Sequence, residues 1–324
     1  MRPIQMVDLK EQYLKIKAEV DAAVIGVLES TAFINGPQVQ SFAAALAAYH
    51  GVKHVIPCAN GTDALQIAMM ALGLKPGDEV IAPSFTYIAT TEVIALLGLK
   101  TVFVDVDPKT FCMDAEAIEK AITPKTKAIV PVHLYGQAAP MEAIMAIAKK
   151  HNLFVIEDNA QAIGSDYYFK DGASKKTGSI GTIGCTSFFP SKNLGGYGDG
   201  GAIMTNDDAL AEKLKMVANH GQSQRYYHDV VGCNSRLDTI QAAILEIKLA
   251  HLDNYIDARR RVADAYDAAF AAHPKIETPF RDKSSKHVFH QYTLILEGLD
   301  RNALQAYLAA HHIPSMIYYP VPAH

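Results

Sequence analysis

The amino-acid sequence predicts an α/β protein, with a mostly parallel sheet covered by helices on both faces and a smaller α+β region at the carboxyl end. Between about residues 54 and 156, short and continuously apolar runs alternate with segments of helical spacing. Continuous rather than alternating apolar strands are typical of parallel sheets that are buried on both faces. After Pro274 the pattern changes to strand, helix and strand, which predicts a separate small unit.

The sheet-forming part follows a regular order. Its predicted strands are residues 54–59, 79–83, 101–106, 127–132, 153–156, 182–187 and 201–205. The predicted helices between the first five strands are residues 62–72, 89–97, 114–122 and 141–150. Pro57 predicts an early end for the first strand, because proline cannot donate a hydrogen bond within a sheet.

The second half begins with residues 160–206, which are rich in Gly, Ser and Lys. Residues 238–271 form one long helical pattern, and we interpret its charged cluster at 257–261 as a solvated helix face. Beyond Pro274 the predicted elements are a strand at 290–296, a helix at 301–311 and a strand at 315–319.

Composition excludes several classes of function. The net charge of −4 gives no electrostatic case for binding nucleic acid or an acidic membrane, and no apolar run is long enough to span a bilayer. The amino-terminal residues lack the apolar segment of a signal peptide, and the four cysteines lack CxxC spacing. The histidines form no HExxH motif, so no metal site is predicted. We expect a cytoplasmic enzyme with reduced thiols.

Ligands of parallel α/β sheets bind at the carboxyl ends of the strands, and four features lie at such ends. The first is residues 59–64, where a strand passes through Gly61 and Thr62 into a helix. Backbone N–H groups and a hydroxyl at a helix start can bind a phosphate, although a Thr or Asp cap is the commoner reason for this pattern. The second is the pair Glu157 and Asp158, which could equally meet a ligand or cap the strand end.

The third feature is Lys192, which follows an apolar strand and enters a glycine-rich turn. A desolvated lysine with a lowered pKa is what Schiff-base chemistry requires, whereas most lysines are solvated. The fourth is residues 83–87, with two aromatic side chains that could stack on a planar ring or pack in the core. A phosphate cradle, a stacking ring, a strand-end aspartate and a buried lysine together match the requirements of pyridoxal 5′-phosphate (PLP).

Eight motifs occur in an order that resembles one enzyme family. They are residues 60–65 (NGTDAL), 83–87 (PSFTY), 133–136 (HLYG), 157–161 (EDNAQ), 187–192 (SFFPSK), 198–201 (GDGG), 219–221 (NHG) and 234–238 (NSRLD). The whole chain resembles the DegT/DnrJ-type nucleotide-sugar aminotransferases, which are PLP-dependent transferases of fold type I, the aspartate aminotransferase-like fold. The resemblance implies a mostly parallel seven-stranded sheet between helices. Residues 186–241 most resemble the members that aminate UDP-2-acetamido-3-keto-glucuronate.

The resemblance also implies the roles of individual residues. Lys192 would hold PLP as a Schiff base and move protons, and Asp158 would pair with the pyridine nitrogen. Three residues would bind the phosphate, namely Gly61, Thr62 and Ser187. Tyr87 would stack on the ring, and Gln161 would contact the ring hydroxyl.

Further roles concern the substrates and the assembly. Asn234 would reach the phosphate of a neighbouring subunit, which implies a homodimer with shared active sites. Arg236 would bind a carboxylate of glutamate or of a uronate, or else form a structural ion pair with Asp238. Tyr318 and Tyr319 would line the sugar pocket, although the glucuronate-specific relatives carry His at the position of Tyr318.

The resemblance implies a large PLP-binding domain with an amino-terminal arm at residues 1–250. It also implies a small domain at residues 251–324, which we expect to be truncated because relatives continue beyond the final motif. The expected reaction takes an amino group from L-glutamate, forms 2-oxoglutarate, and delivers the amino group from pyridoxamine phosphate (PMP) to a nucleotide-linked keto sugar for a bacterial surface polysaccharide such as lipopolysaccharide O-antigen.

Alternative readings remain at this level. A PLP-dependent or PMP-dependent sugar dehydratase uses the same cofactor, but the dehydratases of this family replace the lysine with His. A non-catalytic regulator of the same fold would have no use for a lysine–aspartate pair. A dinucleotide-binding oxidoreductase is disfavoured because the first strand leads into Asn-Gly-Thr and not into GxGxxG.

Overall fold

The computed structural model describes residues 4–322 and 324. Its helices are α1 (Leu9–Lys15), α2 (Lys17–Ser30), α3 (Pro37–His50), α4 (Gly61–Ala71), α5 (Ala89–Leu96), α6 (Ala115–Ala121), α7 (Met141–His151), α8 (Asp208–Ala218), α9 (Thr239–Ala250), α10 (Leu252–Phe270) and α11 (Arg301–Ala310). Within the described residues, no helix is long and apolar enough to cross a membrane.

The strands form one large sheet and three short two-stranded sheets. They are β1 (His54–Cys58), β2 (Glu79–Pro83), β3 (Lys100–Val104), β4 (Thr126–Ile129), β5 (Phe154–Asp158), β6 (Asp166–Tyr168), β7 (Ser174–Lys176), β8 (Ile183–Ser187), β9 (Gly201–Thr205), β10 (Gln222–Gln224), β11 (Tyr227–His228), β12 (Ile276–Glu277) and β13 (Ile295–Leu296).

The large sheet has seven strands in the order β1-β9-β8-β5-β4-β2-β3. Strand β9 runs antiparallel to both of its neighbours, and the other pairs are parallel. The prediction of a mostly parallel seven-stranded sheet is therefore confirmed. Pro57 does not end β1 early, which corrects the sequence-based expectation: β1 lies at the sheet edge, where only one side of each residue must pair.

Both faces of the sheet are buried, as the apolar strands predict. In β2, Val80 and Ala82 join a core cluster with residues of α4, α5 and α8, whereas Ile81 points to the opposite cluster under α6 and α7. A third cluster joins α3, α9 and α10 and includes Phe188, just before the predicted catalytic lysine. The carboxyl ends of β5 and β8 are therefore surrounded by packed core residues on both faces of the sheet.

Several sequence-based expectations differ from the structure. The predicted helix at 238–271 is two helices, because the chain breaks between α9 and α10 at His251. The predicted strand at 290–296 is reduced to β13, and residues 315–319 form no strand. Phe289 adopts a positive φ of 46°, which bends the chain just before 290–296 and interrupts regular pairing there.

The charged cluster on α10 is not a fully solvated face. Arg259 donates hydrogen bonds to the carbonyls of Phe289 and His290, at 3.1 and 3.2 Å, and Arg260 donates to the carbonyl of His287, at 2.8 Å. Two of the three arginines thus bind the segment between β12 and β13, and they satisfy carbonyl groups that a neighbouring strand would otherwise have to pair.

Gly184→Ala should reduce the free energy of unfolding by about 3 kcal/mol or more. A Cβ at this position in β8 would lie 2.0 Å from the carbonyl oxygen of Gly178, so the backbone of a buried loop would have to move. Gly26→Ala is the matched control, because a Cβ there meets nothing within 4 Å and the helix should gain up to about 1 kcal/mol. Urea unfolding of both variants measures the difference, and equal stabilities would contradict the packing described.

Candidate active site

A narrow cradle forms where β1 leads into α4. The side chain of Asn60 caps the helix by accepting a hydrogen bond from the N–H of Asp63 at 2.8 Å, so the cap is neither Thr62 nor Asp63. Gly61 lies against Ser187 at the end of β8, where a Cβ would come within 2.7 Å of the serine Cβ. The start of the helix and the serine hydroxyl therefore share a space that a larger residue would fill, which suits an anion such as phosphate.

A distant segment closes the back of this cradle. The Ser235 hydroxyl donates to Oδ2 of Asp63 at 2.6 Å and accepts from the N–H of Ala59 at 3.0 Å. Asn234 beside it is exposed. Arg236 is half-buried, and the ion pairs of the described residues include none to it, so the alternative of a structural pair with Asp238 is wrong.

The two carboxylates at the end of β5 have different environments. Asp158 is 7% exposed. Its Oδ2 accepts a hydrogen bond from the hydroxyl of Thr90 at 2.8 Å, and its Oδ1 accepts from the N–H of Ala160 at 3.1 Å. Further lone pairs remain on this carboxylate, so it can still accept a hydrogen bond from a bound ligand.

Glu157 points away from this site and is sealed from solvent. It accepts a hydrogen bond from Nε2 of His133 at 2.9 Å, whose Nδ1 in turn accepts from the N–H of Ala139. Three backbone N–H groups within 2.8 Å complete its shell, those of Gly178, Ile180 and Gly181. Burial opposes ionisation, but these donors hold the pKa of Glu157 below its usual value. Of the two acids, only Asp158 is available to a ligand.

Lys192 follows β8 in a tight turn, where its N–H bonds to the carbonyl of Phe189 at 2.8 Å. Burial lowers the pKa of its side chain to about 8, and the charge of Asp158 partly opposes this change. Its amine forms no hydrogen bond with another described residue. A lysine with this pKa is substantially uncharged at mildly alkaline pH, so it can act as a nucleophile.

Several tyrosine side chains border the site near Gln161. The Gln161 Oε1 accepts from the N–H of Tyr135 at 2.7 Å, and its Nε2 donates to the hydroxyl of Tyr319 at 3.1 Å. Tyr135 donates its hydroxyl to the carbonyl of Tyr318 at 3.2 Å. Tyr87 is 59% exposed, so a face of its ring is open to a planar ligand.

These residues fit PLP. A cradle that glycine keeps open suits its phosphate, the free lone pairs of Asp158 suit its protonated ring nitrogen, and the lowered pKa of Lys192 suits attachment to its aldehyde. The structure brings Asp158 and Lys192 within electrostatic reach of each other, and it places Gly61 beside Ser187.

Sequence reasoning missed three contributors to this site, Thr90, the buried partner His133 and Ser235. His133 stands in one of the recognised motifs and Ser235 in another, but neither motif reveals what the side chain contacts. Thr90 lies on a helix far from Asp158 in the chain, and no local pattern distinguishes it from an ordinary helical threonine.

Comparison with known proteins supports the fold and the cofactor. Residues 14–324 match the DegT/DnrJ/EryC1/StrS aminotransferase family. The chain is 50% identical to UDP-2-acetamido-2-deoxy-3-oxo-D-glucuronate aminotransferase of Pseudomonas aeruginosa, over 98% of this chain and 87% of that protein. It is also 50% identical to a pleiotropic regulatory protein of Geobacillus stearothermophilus, over 99% of this chain and 85% of that protein.

Solved structures show the same architecture. Streptomyces venezuelae DesV, in complex with a ketimine intermediate, superposes with a TM-score of 0.95 at 42% identity, over 100% of this chain and 85% of that one. NtdA of Bacillus subtilis, with bound PMP, gives a TM-score of 0.90 at 33% identity, over 100% of this chain and 74% of that one. The predictions of a PLP-dependent fold type I transferase and of PLP or PMP as cofactor are confirmed.

Asp158→Asn should lower the pKa of Lys192 below its value of about 8, because the anion that favours the ammonium form is removed. An amine reagent applied to the apoprotein reacts only with the uncharged lysine. Its rate at Lys192, followed by peptide mass spectrometry, should therefore rise with pH about a midpoint near 8, and the variant's midpoint should be lower. Asp238→Asn, at an exposed position, should leave the midpoint unchanged. An unchanged or higher midpoint in Asp158→Asn would contradict the arrangement.

Proposed function

This chain belongs to the DegT/DnrJ/EryC1/StrS aminotransferase family, and from that premise we propose that it transfers the amino group of L-glutamate to the keto group of UDP-2-acetamido-3-keto-glucuronic acid. The observation that carries the proposal is the partly buried Lys192 beside the strand-end carboxylate of Asp158. The substrate is inferred from the 50% identity to the P. aeruginosa enzyme across almost the whole chain.

The catalytic residues are Lys192 and Asp158. When bound, PLP supplies an electron sink that stabilises negative charge on the substrate carbon next to the nitrogen. Asp158 would accept a hydrogen bond from the ring N–H and keep the ring charged, while Thr90 fixes the orientation of the carboxylate. Lys192 would hold the cofactor through its aldehyde, and its Nζ would hold and move the proton.

The remaining residues orient the cofactor. Gly61, Thr62 and Ser187 bind its phosphate, since the first turn of α4 and the serine hydroxyl meet there. The exposed ring of Tyr87 would stack on the cofactor ring, and Gln161, whose amide has a second hydrogen besides the one given to Tyr319, would donate it to the ring hydroxyl.

The substrates bind beside this group. Arg236 has no carboxylate partner among the described residues, so its guanidinium is free to take the carboxylate of glutamate or of the uronate. Tyr318 and Tyr319 line the sugar pocket, and Tyr319 is held by Gln161. A tyrosine at position 318 still offers a hydrogen-bonding group to a sugar hydroxyl.

We propose that the enzyme is a cytoplasmic homodimer with shared active sites, in which the partner subunit's Asn234 reaches the phosphate. Exposure of Asn234 in the single chain supports this arrangement. We also propose a large domain at residues 1–250 and a small domain at 251–324, and the break between α9 and α10 at His251 supports this boundary. The product would enter a surface polysaccharide such as lipopolysaccharide O-antigen.

A regulatory role is the second candidate, because one relative with 50% identity is named a pleiotropic regulatory protein. The lysine and the carboxylate that a catalyst needs are both in place here, and a purely regulatory protein would not require them. A sugar dehydratase is disfavoured by the same lysine. Consumption of glutamate separates the aminotransferase from the other two functions, and formation of a deoxygenated sugar separates the dehydratase from the regulator.

L-Glutamate should convert the PLP-loaded protein to its PMP form in the absence of any sugar. The absorbance of lysine-bound PLP should give way to that of PMP, and 2-oxoglutarate should appear in equal amount. Lys192→Ala should still bind the nucleotide sugar, but its transamination rate should fall more than about a thousandfold, because the group that moves the proton is lost. A deoxygenated sugar formed without glutamate consumption would indicate the dehydratase instead, and no change with either substrate would indicate the regulator.

Two inactive variants should restore activity when their subunits are mixed. Lys192→Ala lacks the lysine, and Asn234→Ala is expected to bind PLP poorly, but a mixed dimer contains one site with both residues intact. After unfolding and joint refolding of equal amounts, about a quarter of the wild-type activity should return, because half of randomly formed dimers are mixed and each has one intact site. Separately refolded variants are the control. No recovery above their sum would contradict the shared site.

A further inference from the structure

The segment formed by residues 287–291 connects the carboxyl-terminal region to the active site. The N–H of Val288 donates to the carbonyl of Gly136 at 2.9 Å, and Nδ2 of Asn193 donates to the carbonyl of Val288 at 3.1 Å. Asn193 is the residue after the catalytic lysine. The segment also passes so close to Gly136 that a Cβ there would lie 2.9 Å from the nitrogen of Phe289. Its backbone position is therefore fixed relative to Lys192.

Two arginines of α10 hold this segment from the other side. Arg259 donates to the carbonyls of Phe289 and His290, and Arg260 donates to the carbonyl of His287. The segment thus carries two histidines, each tethered to its own arginine through its carbonyl group. Only one of them, His290, interacts electrostatically with Lys192.

His290 is uncharged in this environment. Burial lowers the pKa of its imidazole well below the usual value, and the positive charges of Lys192 and Arg259 lower it further. Its Nδ1 is buried and has no hydrogen-bond partner in the structure. A buried imidazole nitrogen without a partner is unfavourable, so it needs either a donor or an acceptor nearby.

The Lys192 amine has hydrogens to donate and makes no hydrogen bond to another described residue. We propose that His290 is a positioning residue of the active site: Arg259 holds its uncharged imidazole near Lys192, and the unpaired Nδ1 is available to accept a hydrogen bond from the lysine amine. This inference rests on the proposed function, because it concerns the lysine that the proposed reaction uses. Arg259 has two effects in it: it fixes the backbone of His290, and its charge keeps the ring unprotonated and able to accept.

The test measures the pKa of Lys192 in the apoprotein, from the pH dependence of amine labelling at this residue. The charged groups facing the pair are Asp158 at the end of β5 and Arg259 on α10, and both stay unchanged in the His290 variants. His290→Phe removes the acceptor that favours the ammonium form. The labelling midpoint should therefore fall by about one pH unit, and labelling at pH 7 should be about fivefold faster. His290→Gln retains an acceptor and should have a midpoint close to that of the wild type.

His287→Phe is the matched control, because His287 is a buried, uncharged histidine of the same segment that the charge of Lys192 does not reach. It should lower the melting temperature without moving the midpoint. If His290→Phe behaves in the same way, or if His290→Gln shifts the midpoint as far as His290→Phe does, the positioning role is overturned.

Arg259→Lys provides a second variant should His290→Phe fail to fold. The lysine keeps the positive charge but cannot bridge the carbonyls of Phe289 and His290 as the guanidinium does, so His290 should be released and the Lys192 midpoint should again fall. An unchanged midpoint in this variant would overturn the proposal. Labelling uses the apoprotein, so it does not depend on the proposed reaction. If the midpoint shifts as expected but glutamate does not convert the PLP-loaded protein to its PMP form, the aminotransferase proposal is refuted and the positioning role of His290 stands.

Discussion

The buried carboxylate of Glu157 is the interaction on which the geometry of the site depends. A charge sealed inside a protein is tolerated only when its lone pairs are satisfied, and here one histidine and three backbone N–H groups satisfy them. Those donors come from the turn after β4 and from the loop before β8. The same carboxylate therefore fixes both flanks of β5. Because neighbouring residues of a strand point to opposite faces, Asp158 is directed to the opposite side, towards the cofactor site.

Close backbone contact at glycine positions builds the other half of the site. Gly201 begins β9, and a Cβ there would lie 2.4 Å from the carbonyl oxygen of Asn60, while Gly61 has a comparable contact with Ser187. These contacts require β9 to lie between β1 and β8, which is the order of the sheet. The single antiparallel strand, β9, thus leads the chain from the glycine-rich turn after Lys192 back along the sheet, and its first residue lies beside the start of α4.

The carboxyl-terminal region shows how side chains can replace a sheet. Residues 290–296 have the composition of a strand. However, the carbonyls of His287, Phe289 and His290 accept hydrogen bonds from Arg259 and Arg260 and not from a neighbouring strand. The positive φ of Phe289 belongs to the same arrangement. An arginine can satisfy two carbonyls at once, so a short helix face can substitute for a ladder and still carry a side chain to the active site.

The sequence by itself determined the alternation of strands and helices and the position of β2 and β9, and it made Lys192 and the pair Glu157 and Asp158 candidates for PLP binding. These conclusions depend on periodicity and on residue chemistry, both of which can be read along the chain, whereas the separate roles of Lys192 and Asp158 were expected from the family resemblance. Only the tertiary structure decided that Glu157 is sealed while Asp158 is open, that Thr90 orients Asp158, that Ser235 braces Asp63, and that Arg236 has no ion-pair partner among residues 4–322 and 324. Each of those facts joins residues far apart in sequence, and a local pattern cannot encode which distant side chain a donor will meet once the sheet has assembled.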